Sequence, residues 1–246
     1  MVLLEGKNLT KKYKNRERET DALRDISFYL QEREFLGIVG ESGSGKSTLL
    51  RLIAGLERPD SGVLSYRGDE YQKRKPGYAG QFLQIIFQDA YGSFDPRLRM
   101  DAQMEEVRRK SGTSAELREL LRETLLDESL LEKRPKELSG GQCQRMSIVR
   151  ALYCGAEIIL CDEMTSALDV TAQAQIVRIF GRLREMRSFS SIVVSHDIAL
   201  VYAMCDRIMV MKDGHIVEEG KTEEVIRNPK DANTRQLIMS AREQSF

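Results

Sequence analysis

The sequence predicts an α/β fold, with a mainly parallel sheet, an antiparallel β region at the N-terminus and a helical segment inserted midway. Three observations carry this. Short apolar runs at 35–39, 158–161 and 191–195 alternate with stretches of helical period. A glycine-rich loop joins the first run to a helix, as a strand–loop–helix unit requires. Between about 90 and 150 the alternation stops and helix markers take over.

Taken in order, the first 35 residues read as short strands, Ile26-Ser27-Phe28-Tyr29-Leu30 among them. Phe35-Leu36-Gly37-Ile38-Val39 is a buried strand, and Leu49, Leu50, Ile53 and Ala54 mark one face of the helix that follows. In the middle segment Thr113-x-x-Glu116 has capping-box spacing. Leu117, Leu120, Leu121 and Leu125 then line a helical face. Pro135 interrupts this pattern, and Ser139 is placed to cap a helix reaching about Tyr153. The core resumes with Ile158-Ile159-Leu160-Cys161, a helix marked by Ile176, Ile179, Phe180 and Leu183, and the strand Ser191–Ser195. Lys212-Asp213-Gly214 between two apolar runs predicts a hairpin. The expected organisation is a single domain: core at 1–88 and 151–225, helical subdomain at 89–150, tail at 226–246.

Composition removes several function classes. Of 246 residues, 41% are hydrophobic and 31% charged, as in soluble globular proteins. Basic and acidic residues balance at 38 each, so no net field points to nucleic acid or anionic lipid. No run approaches the roughly 20 apolar residues of a membrane span. Charge also arrives too early in Met1–Lys7 for a secretory leader. The expectation is a cytoplasmic chain that meets a membrane only through a partner. Cys143, Cys154, Cys161 and Cys205 lack metal-site spacing, and Cys161 reads as a small buried hydrophobe.

Gly40-Glu41-Ser42-Gly43-Ser44-Gly45-Lys46-Ser47 fits the phosphate-loop pattern in full, with Thr48 next in the helix. Glycines let backbone N–H groups curl around phosphate oxygens at a helix N-terminus. Lys46 supplies a charge for the β- and γ-phosphates, and Ser47 is a Mg²⁺ ligand candidate. With the alternating strands and helices, this loop resembles that of P-loop NTPases, which implies a RecA-like fold. Asp162 and Glu163 close a buried strand, at the end where α/β sheets bind ligands. Asp162 is the second metal candidate, and Glu163 is free to polarise a water. An acidic pair after a strand is otherwise a solvated loop; the phosphate loop upstream turns the reading toward function.

Leu138-Ser139-Gly140-Gly141-Gln142, with Asp162 twenty residues beyond Gln142, resembles the signature of ABC transporter nucleotide-binding subunits. The resemblance covers essentially the whole chain. It implies ATP and Mg²⁺ as cofactors and a sandwich of two cassettes, identical or different. In it Ser139, Gly140, Gly141 and Gln142 complete the site of the other copy. It further implies that Tyr13 stacks on adenine, Gln88 touches Mg²⁺ or water, Asp169 belongs to a loop crossing the dimer interface, and His196 contacts the γ-phosphate. Lys46, Gln88, Glu163 and His196 form the implied catalytic set. Ser47, Gln88 and Asp162 form the metal set.

The stretch Gln88–Arg97, Thr165–Val170 with Gln173-Ala174-Gln175, and Asn228-Pro229 look like the oligopeptide, dipeptide and nickel importer branch. Met164 in place of proline and Asp231-Ala232-Asn233 in place of His-Pro-Tyr depart from it. The implied partners are a membrane permease and, indirectly, a solute-binding protein, with the chain peripheral on the inner face of the membrane. Nucleic acid is not an expected partner. The alternative is an ATPase serving a carbon–phosphorus lyase complex, which the 91–97 stretch disfavours. Tyr91 and Phe94 are expected to line an open groove for a permease helix, unless both rings pack under the helical insertion.

Overall fold

The opening residues build two long strands rather than several short ones. The computed structural model describes residues 1–15, 18–75, 77–113 and 115–243. By contact it divides into two units, Met1–Gly80 with Ser190–Phe246, and Gln81–Phe189.

The first unit begins with β1 (Val2–Asn15) and β2 (Arg18–Gln31), paired antiparallel with register shifts between Gly6 and Lys12. Such bulges let a long strand bend and twist, which is why apolar alternation reads as broken in the sequence. β3 (Phe35–Val39) is buried throughout and leads through the glycine loop into α1 (Lys46–Ile53). β4 (Ser61–Tyr66) and β5 (Asp69–Glu70) extend the antiparallel sheet in the order β2-β1-β4-β5.

The second unit starts with β6 (Leu83–Ile86), followed by α2 (Met100–Ser111), α3 (Leu117–Glu123) and α4 (Gly140–Tyr153). β7 (Ile158–Asp162) pairs parallel with β6, and α5 (Val170–Met186) follows it. Two details differ from the sequence reading. Glu116, not Thr113, holds the cap position of α3, while the Thr113 hydroxyl accepts from the Ala115 N–H at 3.1 Å. A local polar turn has won over the capping box. Leu125 lies beyond the helix at φ 57°, largely exposed, because the chain turns after Glu123 so that Leu126 becomes buried.

The chain returns to the first unit with β8 (Ser190–Val194), α6 (Ile198–Met204), β9 (Arg207–Lys212) and β10 (His215–Lys221). α7 (Thr222–Arg227) and α8 (Ala232–Glu243) follow. β3 runs parallel between β8 and β9, and β10 closes antiparallel on β9. The predicted hairpin is present, with Asp213 and Gly214 at φ 48° and 80°, the two positive values of a type I′ turn. All four cysteines are free thiols, and burial pushes that of Cys143 up to about 12. Among the described residues no helix is long and apolar enough to cross a membrane.

Within the second unit, Glu123 is 4% exposed and takes a two-pronged contact from Arg187, at 2.6 and 2.8 Å. Arg187→Ala should cost about 3 kcal/mol in urea unfolding, because the carboxylate stays buried without its cation. Adding Glu123→Leu should recover most of the loss. A double variant as unstable as Arg187→Ala would show that packing, not charge pairing, sets the cost.

Candidate nucleotide site

In the first unit the phosphate loop is held from both sides. Gly40 packs so close to the Met211 carbonyl that a Cβ would sit 2.2 Å from its oxygen, and a Cβ on Gly45 would sit 2.5 Å from the Ala22 oxygen. Both glycines have positive φ, so any other residue there meets strain and collision together. The Gly214 N–H donates to the Ser44 carbonyl at 3.1 Å, and Lys212 pairs with Glu41. The β9–β10 hairpin thus clamps the loop. Sequence reading gave the hairpin no such part, because the clamp joins segments about 170 residues apart in the chain.

Lys46 is 7% exposed, with its ammonium donating to the Gly40 and Glu41 carbonyls at 2.7 and 2.8 Å. The cation is therefore aimed into the turn of the loop. Glu41, Ser42, Gly43 and Ser47 are exposed, Thr48 is half-buried and Ser44 is buried. The N-terminus of α1 thus presents its first N–H groups beside a buried charge, an anion-binding arrangement.

The register of β3 with β8 pairs Ile38 with Val194, so His196 emerges level with Gly40. His196 is exposed, between the buried Ser195 and Asp197, whose carboxylate caps α6 at Ala199 and Leu200. Leu23, which packs on Gly45, pairs with Lys11, two residues before Tyr13. Phosphate loop, His196 and Tyr13 are all ordered about one end of this unit.

In the second unit the parallel register of β6 with β7 pairs Ile86 with Cys161. One and two residues on, Phe87 and Gln88 come level with Asp162 and Glu163. Gln88 and Asp162 line a cavity of about 440 Å³ with Phe87, Asp89, Gly92 and Ser93. Glu163 is half-buried at φ 47°, a left-handed backbone that is costly for a side-chain-bearing residue. Its carbonyl accepts from the Ser166 N–H and hydroxyl at 3.1 and 2.9 Å, which holds the turn. Met164 is buried, so packing anchors this loop where proline would stiffen it.

The metal candidates Ser47, Gln88 and Asp162 offer only hard oxygen donors, the chemistry Mg²⁺ prefers. Among the described residues no group of three His, Cys, Asp or Glu side chains converges as an all-protein metal cage would. One carboxylate beside nucleotide phosphates is the usual Mg²⁺ arrangement.

Ser139 to Gln142 take no part in lining the 440 Å³ cavity. They open α4, where the Ser139 hydroxyl accepts from the Gln142 N–H at 3.3 Å and the Gln142 amide oxygen accepts from the Ser139 N–H at 2.9 Å. Asp169 caps the neighbouring α5 at the Ala172 N–H. A Cβ on Gly140 or Gly141 would lie 3.8 Å from Leu168 or 3.7 Å from Ala172, so the two helix N-termini start side by side. Ser139 is exposed and Gly140 and Gly141 are half-exposed, which leaves a second set of N–H groups facing outward.

One residue missed in the sequence ties parts of the second unit together. Arg150 of α4 bonds the Ser93 carbonyl, and its guanidinium lies 4.3 Å from the Phe94 ring centroid. Burial holds its pKa below the ordinary arginine value. A charge within the apolar run Ile148–Leu152 was the available clue. Phe94, 4% exposed, is therefore packed and lines no open groove, whereas Tyr91 remains 39% exposed with its hydroxyl donating to the Leu138 carbonyl at 2.8 Å. The expected pair of groove aromatics is corrected to Tyr91 alone. Arg150 offers Phe94 a better partner inside than a groove would.

Residues 23–166 match the family model described as "ABC transporter". The chain is 39% identical over 227 residues to the oligopeptide transport ATP-binding protein OppF of Escherichia coli K12, covering 88% of this chain and 68% of that protein. It is 37% identical over 205 residues to the nickel import ATP-binding protein NikE of the same strain, covering 80% and 76%. Among solved structures, the ATP-binding cassette MJ0796 as a post-hydrolysis dimer bound to ADP and Pi aligns with a TM-score of 0.76 and 31% identity, over 89% of this chain and 99% of that one. Glycine loop, strand-end carboxylates and paired helix N-termini thus agree with sequence kinship: the chain belongs to the ABC transporter family, among its ATP-hydrolysing cassettes.

Proposed function

We propose that this cassette energises a solute importer of the oligopeptide or nickel type, working as one half of an ATP sandwich with a second cassette. The observation that carries the reading is the kinship with OppF and NikE across most of the chain, joined to the intact phosphate loop. Those relatives also favour import over service to a carbon–phosphorus lyase. The cassette sits on the inner face of the membrane through permease subunits, and a solute-binding protein acts on it only indirectly.

In this reading Lys46 and the N–H groups of Gly40 to Thr48 hold the β- and γ-phosphates, and the Tyr13 ring carries the adenine. Ser47, Asp162 and the Gln88 amide oxygen would hold Mg²⁺, which when bound would offset negative charge on the phosphates. Glu163 orients a water and takes up its proton, with its carboxylate fixed by the strained turn behind it. His196 donates to a γ-phosphate oxygen. The Ser139 hydroxyl and the N–H groups of Gly140, Gly141 and Gln142 face the γ-phosphate held by the partner cassette, and Asp169 lies along that interface.

Lys46→Ala should weaken ATP binding and lower hydrolysis by roughly 10²-fold or more, since a charge already in place is lost. Glu163→Gln should still bind ATP while turnover falls by about 10²-fold. A closed dimer should then accumulate on size exclusion. Near-parent phosphate release from Glu163→Gln would remove the residue as the base.

Activity of the purified chain should rise more steeply than linearly with its concentration. Ser139→Arg should stop turnover while ATP binding by the monomer persists, as nucleotide titration would show. Linear activity from a strict monomer would overturn the sandwich.

The 91–97 segment is the proposed permease contact. Tyr91→Ser should leave the melting temperature close to the parent value and reduce co-purification with the permease. Phe94→Ser should lower the melting temperature by several degrees, because a buried ring packed on the Arg150 guanidinium is lost. Equal melting for both variants would contradict the packing assigned to Phe94.

A further inference from the structure

Outside the phosphate loop, a dense set of polar contacts in the first unit surrounds Tyr13. Its ring is 37% exposed, yet its hydroxyl donates to the Glu57 carboxylate at 2.5 Å across 44 residues of sequence. The Lys11 ammonium lies 5.7 Å from the ring centroid, fixed by the Arg58 carbonyl at 2.8 Å and by Asp60 at 3.4 Å. The other Asp60 carboxylate oxygen accepts from the Lys12 N–H at 2.6 Å, and the Asp60 N–H donates to the Thr10 carbonyl at 2.9 Å. Thr10 and Ser61 share a hydroxyl contact of 2.7 Å. The segment from Glu57 to Ser61 is therefore sewn to the edge that carries Tyr13.

That segment follows directly from α1, the helix whose first residues are Lys46 and Ser47. Arg51 of the same helix stands 3.6 Å from Glu57. One short helix thus carries phosphate ligands at its start and the anchor of Tyr13 just past its end. An exposed phenol tied to nothing would rotate and tilt in water. A ring whose hydroxyl meets a charged acceptor loses that freedom before any ligand arrives, and a purine then stacks without having to order the ring.

We propose that Glu57 is a positioning residue for the nucleobase: by accepting the Tyr13 hydroxyl it holds the ring as a pre-set stacking face for a purine. The inference rests on Tyr13 being the adenine contact. Nothing at Glu57 touches phosphate in this reading, so its effect belongs to the base half of the ligand alone.

Calorimetric titration of the full chain with ATP and with inorganic triphosphate separates the possibilities. Glu57→Ala should raise the Kd for ATP about fivefold and leave that for triphosphate unchanged. Glu57→Gln, which keeps an acceptor, should stay near the parent. Tyr13→Phe, which keeps the ring and removes the hydroxyl, should reproduce the Glu57→Ala loss, and the two together should lose no more than either. Equal weakening toward ATP and triphosphate, or no weakening toward either, would overturn the inference and leave Glu57 as a loop staple. If Glu57→Ala does not fold, Tyr13→Phe alone decides: parental ATP affinity overturns the inference. Tyr13→Ala tests the reading beneath it, since unchanged ATP affinity there would remove Tyr13 as the adenine contact. Loss with Tyr13→Ala but none with Glu57→Ala or Tyr13→Phe would remove only the positioning role.

Discussion

Backbone carbonyls of Met211 and Ala22 close on Gly40 and Gly45, and this crowding governs the phosphate loop. A loop that turns its N–H groups inward must expose its carbonyls elsewhere, and here Lys46 takes those of Gly40 and Glu41. The same ammonium is thereby kept within the turn at 7% exposure, where its charge is little screened by water. Clamp, turn and charge depend on each other, and any Cβ at the two contact points would force them apart.

Strand ends and helix starts carry the other candidate site residues in both units. Asp162 ends a buried parallel strand, and Glu163 and His196 come one and two residues after such strands, whose registers place them without freedom to slide. Ser139 and Asp169 serve first as caps, and their helices begin within van der Waals distance of each other. A cap residue is ordered by the helix it serves, so the N–H groups beside it keep a defined direction. Capping and ligand contact are compatible here, because the first N–H groups of a helix outnumber the acceptors of its cap.

Arginine cations, half-buried at Arg150 and buried at Arg207, hold the larger connections. Arg150 joins α4 to the segment after Gln88, and Tyr91 adds a second bond from that segment to the residue before Ser139. Arg207 bonds Glu34, Glu219 and the Tyr29 carbonyl, tying β9 to β2 and β10. Arginine suits such places because its planar fork stays charged and satisfies several acceptors at once.

Legibility followed sequence distance. The phosphate loop, the strand–carboxylate ending and the Ser139 cap were readable because each needs only neighbours along the chain to define its geometry. Strand and helix types were readable for the same reason, through apolar period. The start of α3 was misread, because a turn at Thr113 competed with the capping box and packing, not spacing, chose between them. The two 14-residue strands were hidden by bulges that break the alternation. Phe94 needed a partner 56 residues away before its side could be known, and Tyr13 one 44 residues away. By itself the sequence determined the phosphate-loop pattern, the strand-end carboxylates and the helix-capping serine. Tertiary structure alone decided what clamps the loop, which aromatic is buried and what holds the exposed one, since only folding brings distant carbonyls, carboxylates and rings within bonding range.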